Sequence, residues 1–194
     1  MMIGKRYWHT LALYAIISSK KRAEYLRKHH VFKSMGENCN YQGRLVPLYP
    51  NLIKIGNNVL LSSNVRLVTH NAVHQVLNNV KIPPPSESHL FSENIGCIEI
   101  GNNCFIGVNS IITSNVRIGD NVIVSAGSLV LNDIPSNSVV RGVPAKKICS
   151  IDQLYDIMKE KPSYPRELAP KMGTSVGKEL EDWLWDYFEK ARRK

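Results

Sequence analysis

The chain has 194 residues, room for one domain or one domain with an added helical segment. With 43% hydrophobic and 21% charged residues it has an ordinary globular composition, which argues against wholesale disorder and allows a core without disulfides or a structural metal. The net charge of +9 sits at one end: residues 1–34 carry eight Lys/Arg and one acid, 35–149 eight and six, 150–194 nine of each, which argues against a uniformly basic nucleic-acid-binding surface.

The N-terminal segment, 1–34, contains an apolar run from Tyr7 to Ile17 between Lys5-Arg6 and Lys20-Lys21-Arg22. Spanning a bilayer takes about 20 apolar residues, so this run is too short. It starts like a signal peptide, yet no small-x-small cleavage site precedes the second basic cluster. Cys39, Cys97, Cys104 and Cys149 form no C-x-x-C pair and read as reduced thiols, so the expected location is cytoplasmic. The segment is expected to form a basic helix whose Trp8, Leu11, Leu13 and Tyr14 pack on the core. Peripheral contact with an anionic membrane is the alternative that this composition allows.

From residue 35 a period of six takes over. Ile100, Ile106, Ile112, Ile118, Val124 and Val130 recur every six residues, and four positions after each stands Cys104, Ser110, Val116, Val122, Ser128 or Ile134. The same frame covers Ile55, Leu61 and Leu67, with Val59 and Val65 in the second slot, and more loosely Met35 with Cys39 and Tyr41 with Leu45. Six suits neither a 3.6-residue helix nor simple alternation. It suits short strands between tight corners, with Gly and Asn at corners that other residues resist. Stacked coils of this kind give an all-β parallel solenoid over 35–149.

Gly101 and Gly119 lie 18 residues apart, one three-sided coil, whereas Gly56 and Gly101 lie 45 apart. One coil plus 27 residues implies a loop extruded over about 71–97, carrying Pro83-Pro84-Pro85, Ser86 and Ser88. Long loops in compact domains are more often functional than accidental. After residue 150, helical faces are expected over 151–161 (Ile151, Leu154, Tyr155, Met158) and 178–193 (Leu180, Trp183, Leu184, Tyr187, Phe188), joined by a Pro/Gly-rich linker. Packing against the prism or a neighbouring subunit is the first reading of this C-terminal extension.

These repeats, with Thr69-His70-Asn71-Ala72-Val73-His74 before the loop and Gly142-Val143-Pro144-Ala145-Lys146 after the last coil, resemble the left-handed β-helix hexapeptide-repeat acyltransferases, in the branch of maltose, galactoside and xenobiotic O-acetyltransferases. The resemblance covers roughly 35–149. It implies left-handed coiling against the usual crossover hand, a homotrimer, and acetyl-CoA lying between neighbouring prisms. His70 matches the family's catalytic base, and histidine suits proton removal from a hydroxyl near neutral pH. His74 is the second choice. Where relatives often have an acidic residue beside the base, Asn71 stands here.

The resemblance also gives Ala126 a place against the pantetheine arm, Phe105 one beside the cofactor, Asn132 a contact that is Lys in relatives, and Lys146 a place near the nucleotide phosphate. Lys147 and Arg141 are close to Lys146, and point charges on a loop suit a phosphate. No Ser or Cys is placed for a covalent intermediate, so direct transfer is expected, with no metal.

The implied function is acetyl-CoA-dependent O-acetylation of a sugar hydroxyl, in surface polysaccharide or glycolipid biosynthesis, with N-acetylation of an amino-sugar as the near alternative. A zinc-dependent or non-enzymatic β-helix stands further off. A zinc site would need three converging His, whereas only His70 and His74 are close in the chain and His89 sits in the loop.

Overall fold

The computed structural model describes residues 3–80, 91–160, 164–170 and 175–192. Pro83 to Pro85, Ser86, Ser88 and His89 lie outside the described residues. The chain forms two compact units, one up to Ile151 and one from Asp152.

The first unit opens with helices α1 (Ile3–Ala15) and α2 (Ser19–Lys28). The coils follow: β1 (Ser34–Met35), β2 (Asn40–Tyr41), β3 (Ile53–Ile55), β4 (Leu60–Leu61) and β5 (Arg66–Val68). Next come β6 (His70–Asn71), the short α3 (Val73–Leu77) and β7 (Asn94–Ile95). The coils resume as β8 (Ile98–Ile100), β9 (Phe105–Ile106), β10 (Ile111–Thr113), β11 (Val116–Ile118), β12 (Val122–Val124), β13 (Leu129–Val130) and β14 (Ser138–Arg141), and end with β15 (Lys146–Ser150).

Three sheets result, in the orders β1-β3-β8-β11, β2-β4-β9-β12-β14-β15 and β5-β10-β13. The chain visits them in rotation, so they are the three faces of stacked parallel coils. Glu99 pairs with Arg117, Phe105 with Ile123 and Ile111 with Leu129, each 18 residues on. Across the insertion Lys54 pairs with Glu99 and Leu60 with Phe105, each 45 residues on. The loop therefore leaves the stack without disturbing its register. At its base β6 and β7 pair antiparallel.

The six-residue frame is the inward row. Ile55, Leu61, Ile100, Ile106, Ile112, Ile118, Val124 and Val130 are all buried, as are Cys104, Ser110, Val116, Val122 and Ser128 in the second slot. Small residues fit that slot because their polar atoms reach corner carbonyls: Cys104 Sγ donates to Gly119 O at 3.2 Å and Ser128 Oγ to Ser125 O at 2.7 Å. Burial pushes the Cys104 thiol up to about 11, so it is a packed, unreactive group.

One corner column repeats Asn58, Asn103, Asn121 and Asn137, all with positive φ between 55° and 57°, a region that Asn tolerates better than most residues. Their side-chain amides join in a ladder, Asn58 to Asn103 to Asn121 to Asn137, each step 3.0 Å. Gly101 lies in the same column because a Cβ there would come within 2.7 Å of the Gly119 carbonyl oxygen.

Three expectations need correction. Leu45 is exposed and Val46 is buried instead. The first coil carries two extra residues, since Ser34 pairs with Lys54 and Asn40 with Leu60, 20 apart, and the frame slips there. The N-terminal helices share a unit with the coils, yet of the four apolar residues expected to pack, only Leu13 does so. Trp8 (73%), Leu11 (59%) and Tyr14 (56%) form an exposed stripe. Lys146 stands on a strand, not a loop, because β15 folds back antiparallel on β14.

The faces differ outside. The first shows Lys54, Glu99 and Arg117, with Arg117 Nε 3.0 Å from Glu99 Oε2. The second and third show Phe105, Ile111 and Leu131 to solvent.

The second unit holds α4 from its second residue (Ile151–Glu160), a short 3-10 turn (Arg166–Leu168) and α5 (Lys178–Arg192). On α5 the Trp183 and Tyr187 rings stack at 5.2 Å, and Arg192 lies over Phe188 at 3.4 Å. Leu180 is buried, whereas Tyr155, Met158, Tyr187 and Phe188 are exposed.

Candidate active site

His70 begins the two-residue β6, where the second coil turns out into the loop. Thr69 fixes that point: its hydroxyl donates to Leu48 O at 2.7 Å, and its carbonyl accepts from Gly96 N at 2.8 Å. His70 is thus held between the coil below and the returning end of the loop, half-buried. Its Nδ1 is shielded from solvent and has no hydrogen-bond partner among the described residues. The same holds for Nδ1 of His74, on α3. Asn71 does not serve the imidazole, since its Oδ1 accepts from Val73 N at 3.3 Å.

Two neighbours of His70 escape sequence reasoning. The Tyr49 ring stands edge-on to the imidazole, with centroids 5.4 Å apart and planes at 80°. Tyr49 Oη donates to Glu93 Oε2 at 2.9 Å, and this bond holds the phenol above its ordinary range. Tyr49 lies one coil below His70, and Glu93 just before β7. The frame does not point to Tyr49: the offset of 20 between the first two coils would put Pro50, not Tyr49, under His70.

The residues assigned to the cofactor fall elsewhere. Phe105 is exposed on the second face, and Ala126 is exposed at the corner where that face meets the third. Gly127 N donates to Val108 O at 2.8 Å, which sets Ala126 above the Val108 corner. Asn132 is exposed near the far corner of the third face, two coils above His70. Lys146 is exposed and pairs across the hairpin with Arg141, while Lys147, the next residue of the strand, pairs with Val140. A whole third face, on the order of 20 Å at the strand rise, separates Ala126 from the corner of His70. One chain does not bring them together. Among the described residues no group of three His, Cys, Asp or Glu stands together as a metal site would require.

Three parallel faces and an inward row every six residues make the first unit a stack of hexapeptide coils. Residues 97–132 match the bacterial transferase hexapeptide family (six repeats). More particularly, the resemblance is to the galactoside and maltose O-acetyltransferase branch. Galactoside O-acetyltransferase of Escherichia coli (strain K12) is 42% identical over 101 residues, 52% of this chain and 45% of that protein. Protein CapG of Staphylococcus aureus is 42% identical over 119 residues, 61% of this chain and 64% of that protein. The structure of a maltose O-acetyltransferase from Clostridium difficile 630 superposes with a TM-score of 0.51 at 27% identity, covering 76% of this chain and 87% of that one. The chain spans about half to two thirds of the length of these two curated relatives.

Proposed function

We propose that the protein is an acetyl-CoA-dependent O-acetyltransferase acting on a sugar hydroxyl, in the assembly of a surface polysaccharide or glycolipid, with its coils wound left-handed. The observation that carries this reading is His70, half-buried where the loop leaves the stack, with Nδ1 unpartnered among the described residues. The named activities of its relatives support it.

In the proposed reaction His70 takes the hydroxyl proton as the oxygen attacks the thioester carbonyl. The C–S bond breaks, and the proton passes to the departing CoA thiolate. A CoA-release assay with sugars and amino-sugars tests this reading and separates O- from N-acetylation. No release with any acceptor would refute it.

The separation of Ala126 from His70, together with the exposed Phe105, Ile111 and Leu131 on the second and third faces, supports a homotrimer in which neighbouring copies complete each site. Light scattering is expected to give three times the chain mass. An active monomer at assay concentration would remove the shared site.

Lys146 is proposed to meet the nucleotide phosphate of acetyl-CoA, with Phe105, Ala126 and Asn132 along the cofactor. Lys146→Ala should raise KM for acetyl-CoA roughly 3–10-fold, the scale of one charge-assisted contact, with little change in turnover. The effect should shrink with dephospho-CoA donors. An equal loss with both donors would return Lys146 to a solvated role.

A further inference from the structure

A cavity of about 750 Å³ lies between α1, the 42–48 segment and the third face of the second coil, with His70 in its wall. Arg6, Arg44 and Arg66 line it, together with Tyr7 and Tyr14, and no Asp or Glu does. Among the described residues none of these three guanidinium groups is paired with a carboxylate. Arg44 is partly engaged, since its Nη1 donates to Leu13 O at 3.3 Å and Tyr14 O at 2.8 Å at the end of α1. At Arg6 the Nε is shielded from solvent without a hydrogen-bond partner among the described residues, and the guanidinium lies 5.1 Å from the Tyr7 ring centroid. Arg66 is exposed on β5, four residues before His70 in the chain, and both residues line the cavity.

A shielded guanidinium donor with nothing to donate to is costly unless something enters to accept from it. A concave site with three positive charges and no negative one concentrates anions. The planar fork of Arg matches the paired oxygens of a carboxylate or a phosphate. The tyrosine rings offer apolar faces to a ligand body.

We infer that this cavity takes the acceptor, and that the acceptor carries an oxyanion, the carboxylate of a sugar acid or the phosphate of a sugar ester. Arg6 and Arg66 hold that group while the acceptor hydroxyl faces His70. That His70 acts on the acceptor rests on the acetyltransferase reading; that the cavity binds an anion does not.

The test therefore has a binding arm and a turnover arm. Galactose, galacturonate and galactose 1-phosphate are titrated calorimetrically into the full chain at low ionic strength, with wild type, Arg66→Gln and Arg66→Lys. The inference expects one or both anions to bind roughly 10-fold or more tightly than galactose, the scale of a hydrogen bond to a charged group. It also expects Arg66→Gln to remove most of that preference and Arg66→Lys to retain part of it. Whichever anion binds more tightly identifies the source of the oxyanion. Equal binding of galactose and both anions, no binding of either anion, or a preference untouched by Arg66→Gln overturns it. In the turnover arm, CoA release should follow the same order. Anion binding that depends on Arg66, with no CoA release on any acceptor, would leave the anion site standing and remove the acetyltransferase reading instead.

Discussion

His70→Ala is expected to keep the fold, the assembly and acetyl-CoA binding, and to lose about 10²–10⁴-fold in turnover, the usual range for a positioned general base. The imidazole is half-buried and makes no hydrogen bond through Nδ1 to the described residues, so removing it strands no partner of that atom among them. The backbone of the site is held by the Thr69 bonds to Leu48 and Gly96, which the substitution does not touch. His74→Ala, on α3 beyond the coil, should cost far less and act mainly on acceptor KM. Circular dichroism and CoA release on the same preparations check both. Near-wild-type turnover in His70→Ala would place the base elsewhere, with His74 the first residue to try.

Ile106→Ala should cost about 2–5 kcal/mol of stability, as large-to-small changes in packed cores do. Ile106 is fully buried, stacked between Leu61 on the coil below and Val124 on the coil above. Neither neighbour can collapse into the space, because parallel pairing fixes the coil spacing at about 4.8 Å. The same truncation at Ile111, whose side chain points outward and is 38% exposed, should cost clearly less in the dissociated chain, since part of that side chain is already in water. Thermal unfolding of the two variants side by side reads the difference. Similar losses would mean that the inward row is not the core.

The fold was legible because a solenoid writes its geometry as a local period. Each of Ile100, Ile106, Ile112 and Ile118 needs only its own hexapeptide to declare its direction. The position of His70 was legible for the same reason, since the frame stops there. What was hidden joins residues far apart in the chain. Tyr49 meets Glu93 across 44 residues, and the cavity brings Arg6 near Arg44 and Arg66, with nothing in the local pattern of either to announce it. The expectation that Lys146 stands on a loop failed because the frame ends at Ile134. Nothing periodic then foretold that the chain would reverse into an antiparallel strand.

The caps on this stack bear on how the molecule stays finite. A column of parallel coils ends in rows of unpaired amides and carbonyls, the kind of edge on which further chains can add without limit. At the lower end the buried Arg22 guanidinium takes the Tyr41 and Gln42 carbonyls at 2.9 and 3.2 Å, while its Nη1 takes those of Ile16 and Ile17, each at 2.7 Å. One side chain thus ties the elbow between α1 and α2 over the first coil and occupies acceptors that an incoming strand would need. At the upper end β15 covers the second face with a strand of the opposite direction, so the parallel register cannot be continued there. A fold made of repeats has no internal reason to stop, and in this chain the reason is supplied by segments that do not repeat.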